Sequence, residues 1–177
     1  MNNTQLRTKN WLPLGWKVMA AWGIFNIIFS IIVPIVSFID PTMFTFGIED
    51  AKFVGMSWQE IVAMSPNMGL WMVLMMVSMC VMMMGWGILI VGISWNAYRR
   101  GERWAWHWLL LSSIIVLLYN SLFVVIYAQR GLYGMFTSAG VFPSGVNVGI
   151  PFLIIWAVWL YVGLWLPRRE IVIVETT

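Results

Sequence analysis

Eight methionines crowd one stretch of the chain: Met68, Met72, Met75, Met76, Met79, Met82, Met83 and Met84. Met68, Met72, Met75, Met79 and Met82 recur at alternating steps of four and three, which on a helix sets them along one stripe. Stacked thioethers are soft ligands for Cu(I), and such a ladder could pass the ion along a helix, with Cys80 one position off the stripe as an added ligand. The commoner use of such a stripe is packing, because methionine fills irregular gaps against neighbouring helices, partner proteins or lipid. The one histidine, His107, stands among Trp104, Trp106 and Trp108. It could ligate a haem or pigment with a methionine opposite, and more often such a residue is an amphipathic anchor. Asp40, Glu49 and Asp50 could hold a hard cation, but their irregular spacing fits a solvated acidic loop better. An enzyme acting on lipid headgroups would have to draw on these carboxylates and Glu60. No catalytic constellation is visible: the serines have no buried base near them to activate a nucleophile. No catalytic residue and no cofactor is therefore assigned, with Cu(I) and haem kept as alternatives.

The elements that must carry these residues are set by composition. Hydrophobic residues make up 61% of the 177 residues and charged residues 10%, against about a quarter charged in soluble domains. A water-soluble globule cannot hide that much apolar surface, whereas a spanning helix pairs its own backbone and offers its side chains to lipid. Apolar runs predict an all-α, polytopic integral membrane protein with four transmembrane helices, at about 18–39, 68–95, 104–128 and 148–166, in one bundle and one domain over 1–177. The first run is longer than a signal-peptide core and no small-x-small cleavage site follows it, so it is read as a span. No Asp, Glu, Lys or Arg lies at the centre of any run, which disfavours ion-coupled transport.

Between the runs lie outer loops 40–66 and 129–147, a cytoplasmic turn 96–103 and a cytoplasmic tail 167–177. In the first loop Ser57 and Glu60 have the spacing of a capping box, predicting a short interfacial helix over 58–64. Pro167 should stop the last helix, and Ile171 to Val174 could pair as a strand or touch lipid. Orientation follows from the basic residues. Arg7, Lys9, Lys17, Arg99, Arg100, Arg103, Arg168 and Arg169 fall on one side, and Lys52 and Arg130 on the other. The heavily basic side is cytoplasmic, which puts both termini inside the cell. Trp11, Trp16, Trp95, Trp104, Trp106, Trp108 and Trp165 cluster at the same boundary, where an indole ring prefers the headgroup level. The net charge of +3 is thus a topology signal, and nucleic-acid binding is not expected. The lone Cys80 excludes an intrachain disulfide.

Ser78, Gly85 and Gly92 repeat every seven residues as a seam of small side chains that would let another helix approach, within the bundle or from a separate subunit. Depth counting at about 1.5 Å per residue levels Asn26, Ser112 and Ser113 with Trp86 and Trp159, predicting a hydrogen-bonded layer. A second layer would join Asn120 and Ser78 to the Ser30 carbonyl that Pro34 leaves without a donor. A polar pocket for a lipophilic molecule is the functional alternative to such interhelical glue.

The turn Tyr98-Arg99-Arg100-Gly101-Glu102-Arg103-Trp104-Ala105-Trp106 resembles one found between antiparallel helices in small, mostly uncharacterised four-helix prokaryotic membrane proteins. The resemblance implies a similar hairpin and carries no activity with it. In physical terms Gly101 lets the chain reverse, Arg99, Arg100 and Arg103 hold that end at an anionic surface, and the tryptophans fix its depth. The expected function is non-enzymatic: an accessory or assembly subunit of a prokaryotic plasma membrane that packs against other membrane proteins or itself. Binding or transport of a lipophilic molecule or Cu(I) through the Met-rich helix is the alternative.

Overall fold

The computed structural model describes residues 11–132 and 150–173, and no strand occurs among them. Three helices, α1 (Leu12–Ile39), α5 (Pro66–Asn96) and α6 (Arg103–Ala128), are long and apolar enough to cross a membrane. Between the first two lie three short helices, α2 (Pro41–Phe44), α3 (Ile48–Val54) and α4 (Trp58–Met64), and the chain ends in α7 (Ile150–Leu160), a π-helical turn (Tyr161–Trp165) and α8 (Arg168–Ile173). Arg7, Lys9, residues 133–149 of the second loop and fourth run, and Val174 onward lie outside the described residues.

Among the described residues α1 and α5 form the most extensive contact, and glycine makes it possible. A Cβ built on Gly23 would meet the Gly87 carbonyl oxygen at 2.7 Å, and one built on Gly87 would meet the Gly23 oxygen at 2.8 Å. The two backbones therefore touch, a distance that favours dispersion and Cα–H···O contacts inside lipid. Toward the C-terminal end of α1 the same interface buries Val33, Met76 and Cys80, flanked by Phe29 and Phe44.

Toward the basic end the core widens to take in Met19, Trp22, Ile90, Tyr98, Leu109, Trp156 and Leu164. Its centre is a tryptophan cluster: Trp22 lies 4.8 Å from Trp156 and 5.2 Å from Trp159, and Trp86 stacks on Trp156 at 6.0 Å. Such ring pairs add roughly 0.5–1.5 kcal/mol each beyond the area they bury.

α6 departs from the expectation of a close neighbour to α5. The turn between them is tight, with Gly101 left-handed at φ 78°, but the buried residues of α6 are Ala105, Leu109 and Ser113, all near its start. Only 11% of its apolar stretch is buried, against 33% for α1 and 28% for the α5 stretch, so most of α6 faces outward among the described residues.

Pro167 does not end the chain's helical course. α8 follows directly, and Ile171, expected in a strand or against lipid, is helical and 2% exposed in the main core. The short helix at 58–64 forms with the bounds expected, and both halves of its capping box are made: the Ser57 hydroxyl accepts the Glu60 amide at 3.3 Å, and the Glu60 carboxylate accepts the Ser57 amide at 2.6 Å. These bonds, first the backbone one and then the Ser57 hydroxyl's, hold the Glu60 carboxyl below its ordinary pKa. A group depressed on folding stabilises the fold above its unfolded pKa, and that contribution is lost as pH falls through the folded value. A carboxyl-carbon NMR titration is expected to place the Glu60 midpoint lower in the native chain than in Ser57→Ala, and equal midpoints would contradict it.

Candidate functional site

Two surfaces and one buried junction gather the residues that could act. The junction lies where α1, the 98–100 turn and the last helical segments meet. Because Pro167 has no amide hydrogen, the carbonyl four residues earlier, that of Gly163, loses its helical donor. The π-helical turn relaxes the ladder there, with the Leu166 amide donating to Tyr161 instead. Tyr98, fully buried, donates its hydroxyl to the Gly163 oxygen at 2.7 Å. Trp106 Nε1 donates to the next carbonyl, Leu164, at 2.9 Å, and Trp159 Nε1 to Val18 at 3.0 Å. Gly15 leaves room for all of this, since a Cβ there would fall 2.4 Å from Pro167 and 2.8 Å from the Gly163 oxygen.

α1 starts without a capping side chain of its own. The cap comes from the far end of the chain: the Glu170 carboxylate accepts the Trp11 amide and, at 2.8 Å, the Leu12 amide. An anion at the positive end of the α1 dipole is favourable on charge as well as on hydrogen bonding.

The first surface is the outward side of α5. Its buried residues are Gly69, Val73, Met76, Cys80, Gly87, Ile90 and Ser94. At about 100° per residue, Ser78, Gly85 and Gly92 lie on roughly the opposite side. Ser78 is exposed, and nothing among the described residues comes within 4 Å of a Cβ built on Gly85 or Gly92. Among the described residues the seam makes no contact within the bundle, and the close glycine contact on α5 is Gly87 with Gly23. Of the methionine stripe, Met68, Met75 and Met82 are exposed and Met72 and Met79 half-buried, while Cys80 turns toward Val33 on α1.

Four residues of the expected polar layers bond locally. Asn26 donates to the Trp22 carbonyl, Ser112 to Leu109, Asn120 to Val116 and Ser78 to Leu74, each within its own helix. The Ser113 hydroxyl is buried without a partner among the described residues. A carbonyl three or four residues back lies within reach of Ser or Asn on a helix, and for Asn26, Ser112, Asn120 and Ser78 that local bond is the one made.

The second surface is a groove of about 360 Å³ at the basic end, lined by Arg103, Trp106, His107, Arg168, Arg169 and Ile171. His107 is exposed, with Nδ1 2.8 Å from the Arg103 carbonyl. Trp104 and Trp108 point outward at 50% and 60% exposure, whereas Trp106 turns inward to its bond with Leu164. Arg99 lies over Trp95, Arg100 pairs with Glu102 at 2.6 Å, and Arg168 sits 3.6 Å from the centre of the Trp165 ring.

Asp40 and Asp50 are in use as caps. Asp40 accepts the Thr42 amide, and Asp50 accepts the Gly47 amide and, at 2.7 Å, the Tyr127 hydroxyl; the Glu49 side chain lies outside those described. No three His, Cys, Asp or Glu side chains converge as a metal site among the described residues.

Sequence reasoning missed Tyr98, Glu170, Gly15, Gly23, Gly87 and Trp156. Two signals were available: Pro167 orphans the Gly163 carbonyl by the argument applied to Pro34, and Trp11-Leu12-Pro13 offers a helix start with no capping side chain. No protein family, curated protein or solved structure matches the chain.

Proposed function

We propose that the chain is a non-enzymatic subunit of a prokaryotic plasma membrane that packs against other membrane proteins or a second copy of itself. The carrying observation is the outward face of α5, where Ser78, Gly85 and Gly92 form a groove of small residues opposite the buried side. In lipid, where apolar surface alone gives no drive to associate, a face that admits close backbone approach is what favours a helix partner.

Four crossings accompany this reading, with both ends cytoplasmic and α4 along the outer interface. Support comes from the path of the chain: α6 leaves the basic end at Arg103, and Leu164 and Glu170 are back at that end through Trp106, Trp11 and Leu12, so the residues between must return.

The test is site-specific photo-crosslinking in native membranes. A probe at Leu89, beside the seam, is expected to capture protein, and a probe at Ile35 on α1 to capture lipid alone. Leu substitutions at Gly85 and Gly92 should remove the Leu89 product. Lipid adducts alone at both positions would refute the proposal.

A further inference from the structure

We propose that the groove between the start of α6 and α8 binds the phosphate of an anionic membrane lipid, a site independent of the protein-packing face. Three guanidinium groups line it, and no carboxylate does so among the described residues. The two nearest acids in sequence are engaged elsewhere, Glu102 with Arg100 and the Trp104 indole, and Glu170 with the α1 amides. An anion placed beside Arg168 and Arg169, adjacent in sequence, relieves their mutual repulsion, and guanidinium forks match phosphate oxygens in geometry. Arg168 is already oriented: stacked on Trp165, it keeps its in-plane N–H groups available for oxygen acceptors. The floor is fixed too, since Trp106 is held by the Leu164 carbonyl and Ile171 is buried. Less ordering is then needed when the ligand enters.

The apolar surface beside the groove points to a lipid as the source of the phosphate. Leu111, Ile114 and Leu118 continue the His107 face of α6 at helical spacing, and all three are exposed, at 49%, 39% and 64%. A headgroup in the groove would place its acyl chains along that stripe. Basic pockets at the cytoplasmic ends of membrane helices hold anionic headgroups by the same combination of charge and depth.

The experiment is native mass spectrometry of the full chain in detergent, titrated separately with phosphatidylglycerol, with phosphatidylcholine of the same acyl chains, and with inorganic phosphate. Phosphatidylglycerol is expected to bind more tightly than phosphatidylcholine, and inorganic phosphate to compete only weakly. Taking about fivefold per arginine, the Arg168→Gln, Arg169→Gln pair should weaken phosphatidylglycerol by roughly twentyfold. The Lys17→Gln, Arg99→Gln pair removes the same charge from the same end outside the groove, and should change it less than about twofold. If the paired groove variant unfolds, Arg169→Gln alone, at an exposed residue, replaces it with a fivefold expectation. Equal binding of the two lipids, equal losses in the groove and control variants, or inorganic phosphate binding as tightly as phosphatidylglycerol would each overturn the proposal.

Discussion

Replacing Gly87 by alanine is expected to destabilise the protein in detergent by about 2 kcal/mol, whereas the same change at Gly85 or Gly92, on the same helix, should stabilise it by up to about 1 kcal/mol. Alanine is the better helix former at all three positions. The sign is decided by what the new methyl meets. At Gly87 it meets the Gly23 carbonyl at 2.8 Å, Ile27 Cγ1 at 3.0 Å and Asn26 Cβ at 3.2 Å, so the α1 backbone must move away. At Gly85 and Gly92 it meets nothing among the described residues within 4 Å. Unfolding midpoints in a titration with a denaturing detergent would measure all three. A Gly87→Ala variant as stable as the native chain would mean that α1 and α5 do not approach as described.

The second large effect is expected at Tyr98. Changing it to phenylalanine keeps the ring in place and removes the donor, which strands the Gly163 carbonyl in a buried site at a cost of about 1–3 kcal/mol. The cause of the vacancy gives a way to prove it. Pro167→Ala restores an amide hydrogen four residues after Gly163, so in that background Tyr98→Phe should cost well under half as much. A double-mutant cycle on thermal unfolding reads this coupling directly. Equal costs in the two backgrounds would show that the hydroxyl is not answering the carbonyl that Pro167 orphans.

The long apolar runs, the capping box at Ser57 and Glu60 and the gathering of basic residues at the helix ends were legible in the residues, because each depends on spacing within a few turns of chain. The 104–128 run became α6 with its start displaced by one position, and the 68–95 run gained two residues at its N-terminal end and one at its C-terminal end. What escaped was pairing between distant segments. Ser78, Gly85 and Gly92 repeat as regularly as any packing motif, yet Gly23 and Gly87, with no such repeat, make the contact. A stripe of small residues records that a helix can be approached, and only its partner's surface decides which face is used. The polar residues misled for a related reason: counting depth can bring Asn26 level with Ser112, but each of these two side chains bonds a carbonyl of its own helix. The candidate sites divide in the same way. Arg103 and His107 stood out in the sequence as anchors, while their union with Arg168 and Arg169 in one groove depends on the tail folding back as α8.

That fold-back also imposes an order in time. The Trp11 amide and the carboxylate that satisfies it are 159 positions apart, a separation that a ribosome adding about 5–20 residues per second covers in roughly 10–30 s. Throughout that interval the amides that open α1 must be hydrated, so the first helix enters the bilayer with its starting end unfinished. Its closure waits until Glu170 has been made and has folded back.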